Sequence, residues 1–181
     1  MKFGAGSEQR ESYQYHNVFE RQRFSDGEER LRIGPGRGHV ELMIELIERL
    51  SEPLRLLYVL VAARGRDQPG RYEAASGMSF DDTENFLKEF ADFLQSDGRH
   101  HLWVSSPGFG TIVYDRHDVL YAYGPLDKFV EVLQANGLKE GKVEVPAPHW
   151  HGYHQDFDEA QSQVLSRFQW IHSKLRTGDD A

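Results

Sequence analysis

The chain is predicted to fold as an α+β domain: a mainly antiparallel sheet of about five strands (a hairpin plus a three-stranded meander) flanked by about four helices. Three observations predict it. Short apolar runs of two-residue period cluster at residues 54–76 and 101–123, broken by turn-forming stretches such as GRDQPG and PGFG. Four other segments space their apolar residues at i, i+3, i+4 and i+7, as one face of a helix requires. These helices fall only occasionally between strand clusters, the order expected of α+β rather than of alternating βαβ units.

The 181 residues most naturally form one domain. Residues 1–38 read as a flexible or clasping N-terminal arm, 39–176 as a single α+β domain and 177–181 as a disordered tail. The arm carries GAGS, IGPGRG and scattered apolar groups, with a short edge strand possible around Ser12 to Phe19. GPGRG invites comparison with phosphate-binding loops, but it lacks the GK[ST] ending, and a turn before a helix explains it.

That helix is HVELMIELIERL. Val40, Met43, Ile44, Ile47 and Leu50 share a stripe opposite Glu41, Glu45, Glu48 and Glu52, and Pro53 stops it. In LRLLYVLVAAR both strand faces are apolar, which predicts a central strand covered twice, with RYEAAS as its hairpin partner. The next helix takes Asp81 and Glu84 as a capping pair, carries a Phe86, Leu87, Phe90, Phe93, Leu94 stripe, and ends at Gly98.

Residues 101–123 read as the meander HLWVSS, TIVYD and DVLYAYG. A tight Arg116-His117 turn would pair Tyr114 with Val119, Val113 with Leu120 and Ile112 with Tyr121. Tyr114, Tyr121 and Tyr123 would then share one sheet face and want partial cover by another segment, a ligand or a partner. The helix PLDKFVEVLQAN has Pro125 at its start and Gly137 past its end, and KVEV follows as a candidate short strand. The prolines of PAPHWHGYHQ keep it extended before a long last helix, capped at Asp156 and Glu159, that runs past Phe168 and Ile171 to Leu175. The arm and this last helix are the candidates for covering the tyrosine face.

Composition excludes whole classes of function. With no cysteine there is no disulfide, iron–sulfur cluster, thiolate zinc site or cysteine nucleophile, so any metal must be held by histidine and carboxylate. A formal charge of −8 and the lack of a basic, aromatic-interleaved stripe argue against nucleic acid. The longest apolar run, Leu56 to Ala63, falls far short of the ~20 residues of a membrane helix, and MKFGAGSEQRES has no apolar h-region. A cytoplasmic protein, monomer or homodimer, is the expectation.

Two stretches carry the residue types of a site. In PHWHGYH, His149 and His151 point the same way along an extended segment and His154 follows, so two or three imidazoles could take zinc or another borderline divalent metal. Asp156 or Asp158 could complete the set. The spacing H-x-H-x-x-H is superficially similar to the HxHxDH signature of metallo-β-lactamase-fold hydrolases, but Tyr153 stands at the aspartate position and the resemblance is rejected. In YDRHD, Asp115, His117 and Asp118 set an imidazole beside two carboxylates, a combination suited to proton transfer or ligation and equally to local turn bonding. His100 and His101, adjacent in a strand, face opposite ways. No G-x-S-x-G or dinucleotide fingerprint occurs.

Two functions fit these features. The first expectation is a non-catalytic protein-binding module, capping another protein as immunity or antitoxin-type proteins do, through Tyr114, Tyr121, Tyr123, Trp150 and Tyr153, with no cofactor. The alternative is a small metal-dependent hydrolase using His149, His151 and His154, joined by Asp115 or His117 from the hairpin.

Overall fold

The structure is a computed structural model and describes residues 2–6 and 11–179. It is a mixed α/β fold. In chain order come β1 (Phe3–Ala5), β2 (Glu11–Ser12), β3 (Val18–Arg23), β4 (Glu29–Gly34) and α1 (His39–Ile47). β5 (Arg55–Leu60), β6 (Gly70–Ala74), α2 (Phe80–Glu89), α3 (Ala91–Ser96) and β7 (His100–Ser106) follow. The remainder comprises β8 (Gly110–Tyr114), β9 (Leu120–Tyr123), α4 (Leu126–Ala135), β10 (Lys139–Glu140), β11 (His149–His151), a 3₁₀ turn (Gln155–Phe157), α5 (Asp158–Arg167) and β12 (Trp170–Ser173).

Nine strands form one sheet in the order β10-β3-β4-β9-β8-β7-β5-β6-β12, and β11-β1-β2 form a small second sheet. The large sheet is mixed, because β10 joins β3 in parallel while the other pairs are antiparallel. All five helices contribute to the main core on one face of this sheet, where Leu56, Tyr58, Leu102, Val104, Ile112, Tyr114, Leu120, Leu31 and Ile33 point inward. Each fully buried side chain of this size contributes roughly 1.5–3 kcal/mol. A smaller cluster of Phe3, Tyr15, Val119 and Val143, with Tyr13, Tyr121 and Val145 against it, covers part of the opposite face.

The hairpin of β5 with β6, the central place of β5 and the β7-β8-β9 meander match the sequence expectation. The five-stranded sheet does not. Four more strands join it, and two of them, β3 and β4, come from the segment expected to be an arm. Their alternation is real but masked by charge: Phe19, Leu31 and Ile33 face the core while Glu20, Arg30 and Arg32 line the other side. The candidate edge strand 12–19 is split between the ends of β2 and β3, and KVEV is not a strand.

The long C-terminal helix is also corrected. α5 stops at Arg167, Phe168 is extended, and β12 pairs antiparallel with β6. Trp170 donates its indole N–H to the Val164 carbonyl at 3.2 Å, satisfying an acceptor in the last helical turn. Ile171, which a continued helix would bury, is 59% exposed. α5 packs on the helical side through Val164, so the N-terminal segment and residues 143–145, not this helix, cover Tyr121.

The meander is shifted by one residue from the expected register. Tyr114 pairs with Leu120, Val113 with Tyr121 and Ile112 with Ala122. The turn holds three residues, Arg116 to Asp118, closed by the Asp115 N–H on the Val119 carbonyl at 3.0 Å, with Asp118 left-handed at φ 59. One extra turn residue moves Tyr114 to the core face, away from Tyr121 and Tyr123. At the chain's end Asp179 pairs with Arg71 at 2.6 Å, so the expected tail is held down that far, and Asp180 and Ala181 lie outside the described residues.

Candidate metal centre

Asp115 builds the first wall of the site. Its Oδ1 accepts the backbone N–H groups of His117 at 2.8 Å and Val119 at 3.0 Å, which folds the β8-β9 turn around the carboxylate. Oδ2 lies 3.0 Å from Nδ1 of His117. Burial acts to raise the Asp115 carboxyl, but the His117 hydrogen bond, the nearby imidazoles and the Val119 N–H hold it below its ordinary value. The carboxylate is therefore ionised and can only accept, so Nδ1 of His117 carries the proton.

The second wall is β11, which pairs with β1 in the register Phe3 to His151 and Ala5 to His149. Strand alternation sends both imidazoles to one side and Trp150 to the other. His149 Nδ1 lies 3.0 Å from the Pro146 carbonyl and His151 Nδ1 lies 3.1 Å from the Arg116 carbonyl. Carbonyls accept only, so both Nδ1 atoms are donors, and in the neutral rings Nε2 is left with its lone pair. Burial, with the charge of Arg116 and the other two imidazoles, pulls the His151 pKa down to about 3, keeping that ring in the neutral, ligating form.

His117, His149 and His151 converge. Their ring centroids are 5.0, 4.9 and 5.3 Å apart, and one ligand nitrogen from each lies within 4.8 Å of the others. Three imidazoles around a tetrahedral ion with ~2.05 Å bonds would place their centroids about 5 Å apart, in line with the observed spacings. Phe3, fully buried, supports all three, with its ring 5.5 Å from His117, 5.5 Å from His149 and 5.6 Å from His151. His149 is exposed while the other two are half-buried, so the open side of the trio faces solvent.

Gly98 lets the second wall, with β1, pack closely against the start of β7. Its N–H donates to the Gly152 carbonyl and the Gly152 N–H to the Lys2 carbonyl, each at 2.8 Å. A Cβ at Gly98 would stand 2.6 Å from the Lys2 carbonyl oxygen and 3.0 Å from the His151 Cβ.

His154, expected as the third ligand, is not part of this trio. Its backbone is built into another network, donating to Asp97 Oδ2 and accepting from Arg99, each at 2.8 Å. Asp158 is engaged by Arg99 at 2.9 Å and Arg64 at 3.1 Å. The one-side projection of His149 and His151 was legible as parity in the sequence. Phe3 and the carbonyls of Pro146 and Arg116 left no such signal.

The residues expected to form a protein-binding face are divided. Tyr114 is fully buried, with its hydroxyl on Asp118 at 2.7 Å and its ring stacked on His39. Tyr121 and Tyr123 lie on the opposite sheet face beside Arg30, which donates to the Tyr123 hydroxyl at 2.9 Å. Tyr153 is 40% exposed and meets Arg116, while Trp150 is half-buried in β11. The glycine loop does link a strand to a helix, but the first two N–H groups of α1 already point at Gln95 Oε1. No family model, curated protein or solved structure matches the chain. Among the described residues no helix is long and apolar enough to cross a membrane.

Proposed function

We propose that this protein holds a divalent transition metal, zinc foremost, on Nε2 of His117, His149 and His151, and that the metal activates a water for hydrolysis. The observation that carries the reading is the orientation of the three imidazoles. Each presents Nδ1 to a fixed acceptor, the outer-sphere arrangement that metal-ligating histidines use to lock tautomer and ring angle. Three histidines with an open fourth position on the solvent side match the ligand count of catalytic rather than structural zinc. A metal held there would bring the pKa of a bound water towards neutrality, so no dedicated base would be needed. The protein-binding reading loses Tyr114 from its surface, keeps Tyr121 and Tyr123 together beside Arg30, and has Tyr153 on Arg116.

The test is metal content of untagged protein purified without chelator, followed by zinc titration. Near-stoichiometric loading is expected, lost on His117→Ala, His149→Ala or His151→Ala. Loading below about a tenth of an equivalent that the substitutions leave unchanged would overturn the proposal.

A further inference from the structure

Resting on the metal reading, we infer that the centre takes a small oxyanion, a carboxylate or a phosphate, that occupies the metal's fourth position and is held by the Arg116 guanidinium. Three neutral imidazoles leave a divalent ion with its full charge, and among the described residues the carboxylate beside the trio, Asp115, stands behind His117, occupied by the turn it organises. The described residues therefore offer the metal side no negative ligand, and an anion is the species that would neutralise it.

Arg116 is placed to share that anion. Its carbonyl anchors His151 at 3.1 Å, and its side chain runs along the same segment to the Tyr153 hydroxyl, 3.3 Å from Nη2. The Arg116 charge acts directly on the His151 ring, so the guanidinium lies near the trio. Its Nε is buried without a hydrogen-bond partner, and among the described residues no carboxylate pairs with it. A buried donor left unsatisfied is costly, whereas the planar fork of arginine matches two oxygens of a carboxylate or phosphate. One oxygen on the metal and another on Arg116 would satisfy both groups at once. The exposed edge at His149 leaves the path from solvent open.

The experiment uses cobalt(II) in place of zinc, because its visible d–d bands report the fourth ligand. Loaded full-length protein is titrated with inorganic phosphate and, separately, with acetate in chloride-free buffer. Cobalt loading is measured independently for each variant and the comparison made on the loaded fraction. A saturable band change with either anion is expected, weakened about tenfold or more in Arg116→Gln and less in Arg116→Lys, which keeps charge but loses the fork. A response to phosphate alone assigns phosphate compounds as the ligand class, and a response to acetate alone assigns carboxylates. If cobalt binds but neither anion moves the bands, or Arg116→Gln responds like the parent, the oxyanion inference is overturned and the metal centre stands. If cobalt does not bind, the metal reading itself has failed.

Discussion

Nδ1 of His151 sits 3.1 Å from the carbonyl oxygen of Arg116, tying the strand that carries two imidazoles to the turn that carries the third. β11 belongs to the small sheet and the turn joins two strands of the large one, so this contact joins the two sheets at the site. Metal binding should therefore be sensitive to residues that set their separation.

Asp115→Asn should weaken zinc about 10–100-fold, because the outer-sphere partner of His117 loses its charge and its acceptor-only character. His154→Ala should bind zinc like the parent, since His154 stands outside the trio. Competition titration against a chromophoric chelator distinguishes the two, and equal losses in both would contradict the assigned ligand set.

Gly98→Ala should cost about 1–3 kcal/mol of stability and weaken metal binding as well. The added methyl meets backbone oxygen of Lys2 at 2.6 Å, not a flexible side chain, so β1 and β11 must shift. Urea denaturation and zinc titration on the same variant provide the check. A full-affinity, full-stability variant would show that the approach is looser than the geometry implies.

Arg99→Lys should destabilise the fold by about 3 kcal/mol or more. Arg99 is fully buried and directs its donors to Asp97, Asp158, Gln161 and the His154 carbonyl, all within 2.9 Å. An ammonium cannot reproduce that fork and would leave the buried Asp97 carboxylate partly unpaired. Chemical denaturation measures the loss, and a change under about 1 kcal/mol would count against the network's weight.

Lys2 predicts a pH dependence. Its ammonium is fully buried, 3.4 Å from the Tyr114 ring centroid, and donates to the Leu94 carbonyl at 3.1 Å. Burial lowers its pKa from 10.5 to about 8, against the opposing pull of Asp118, Asp115 and Asp97. Above pH 8 the unfolded chain binds a proton that the folded chain has released, so this group makes stability rise with pH, by up to ~1.4 kcal/mol per unit, towards 10.5. As pH falls through 8 that contribution disappears. Lys2→Met should flatten the rise between pH 8 and 9.5 in urea unfolding, and should be neutral or stabilising at pH 7. An unchanged slope in the variant would assign the effect elsewhere.

By itself the sequence determined the mixed α/β class, the β5-β6 hairpin, the three-stranded meander and the first three helical segments, the second of which the structure breaks at Phe90 into α2 and α3, because each rests on a local period of apolar residues. It also determined that any metal must be held without thiolate, and that His149 and His151 project together. Only the tertiary structure decided the rest. β3 and β4 are half-covered strands whose charged faces hide their alternation, and β12 became a strand because β6 offered an unpaired edge. Tyr114 left the expected tyrosine face on a single extra turn residue, while Tyr121 and Tyr123 stayed together, since a shift of one inverts every side chain of a strand. The third histidine was decided in the same way. His154 is nearer in sequence, but a two-residue strand period and an Asp115-centred turn bring His117 to the trio instead, and spacing along a chain does not record which turn will fold back over which strand.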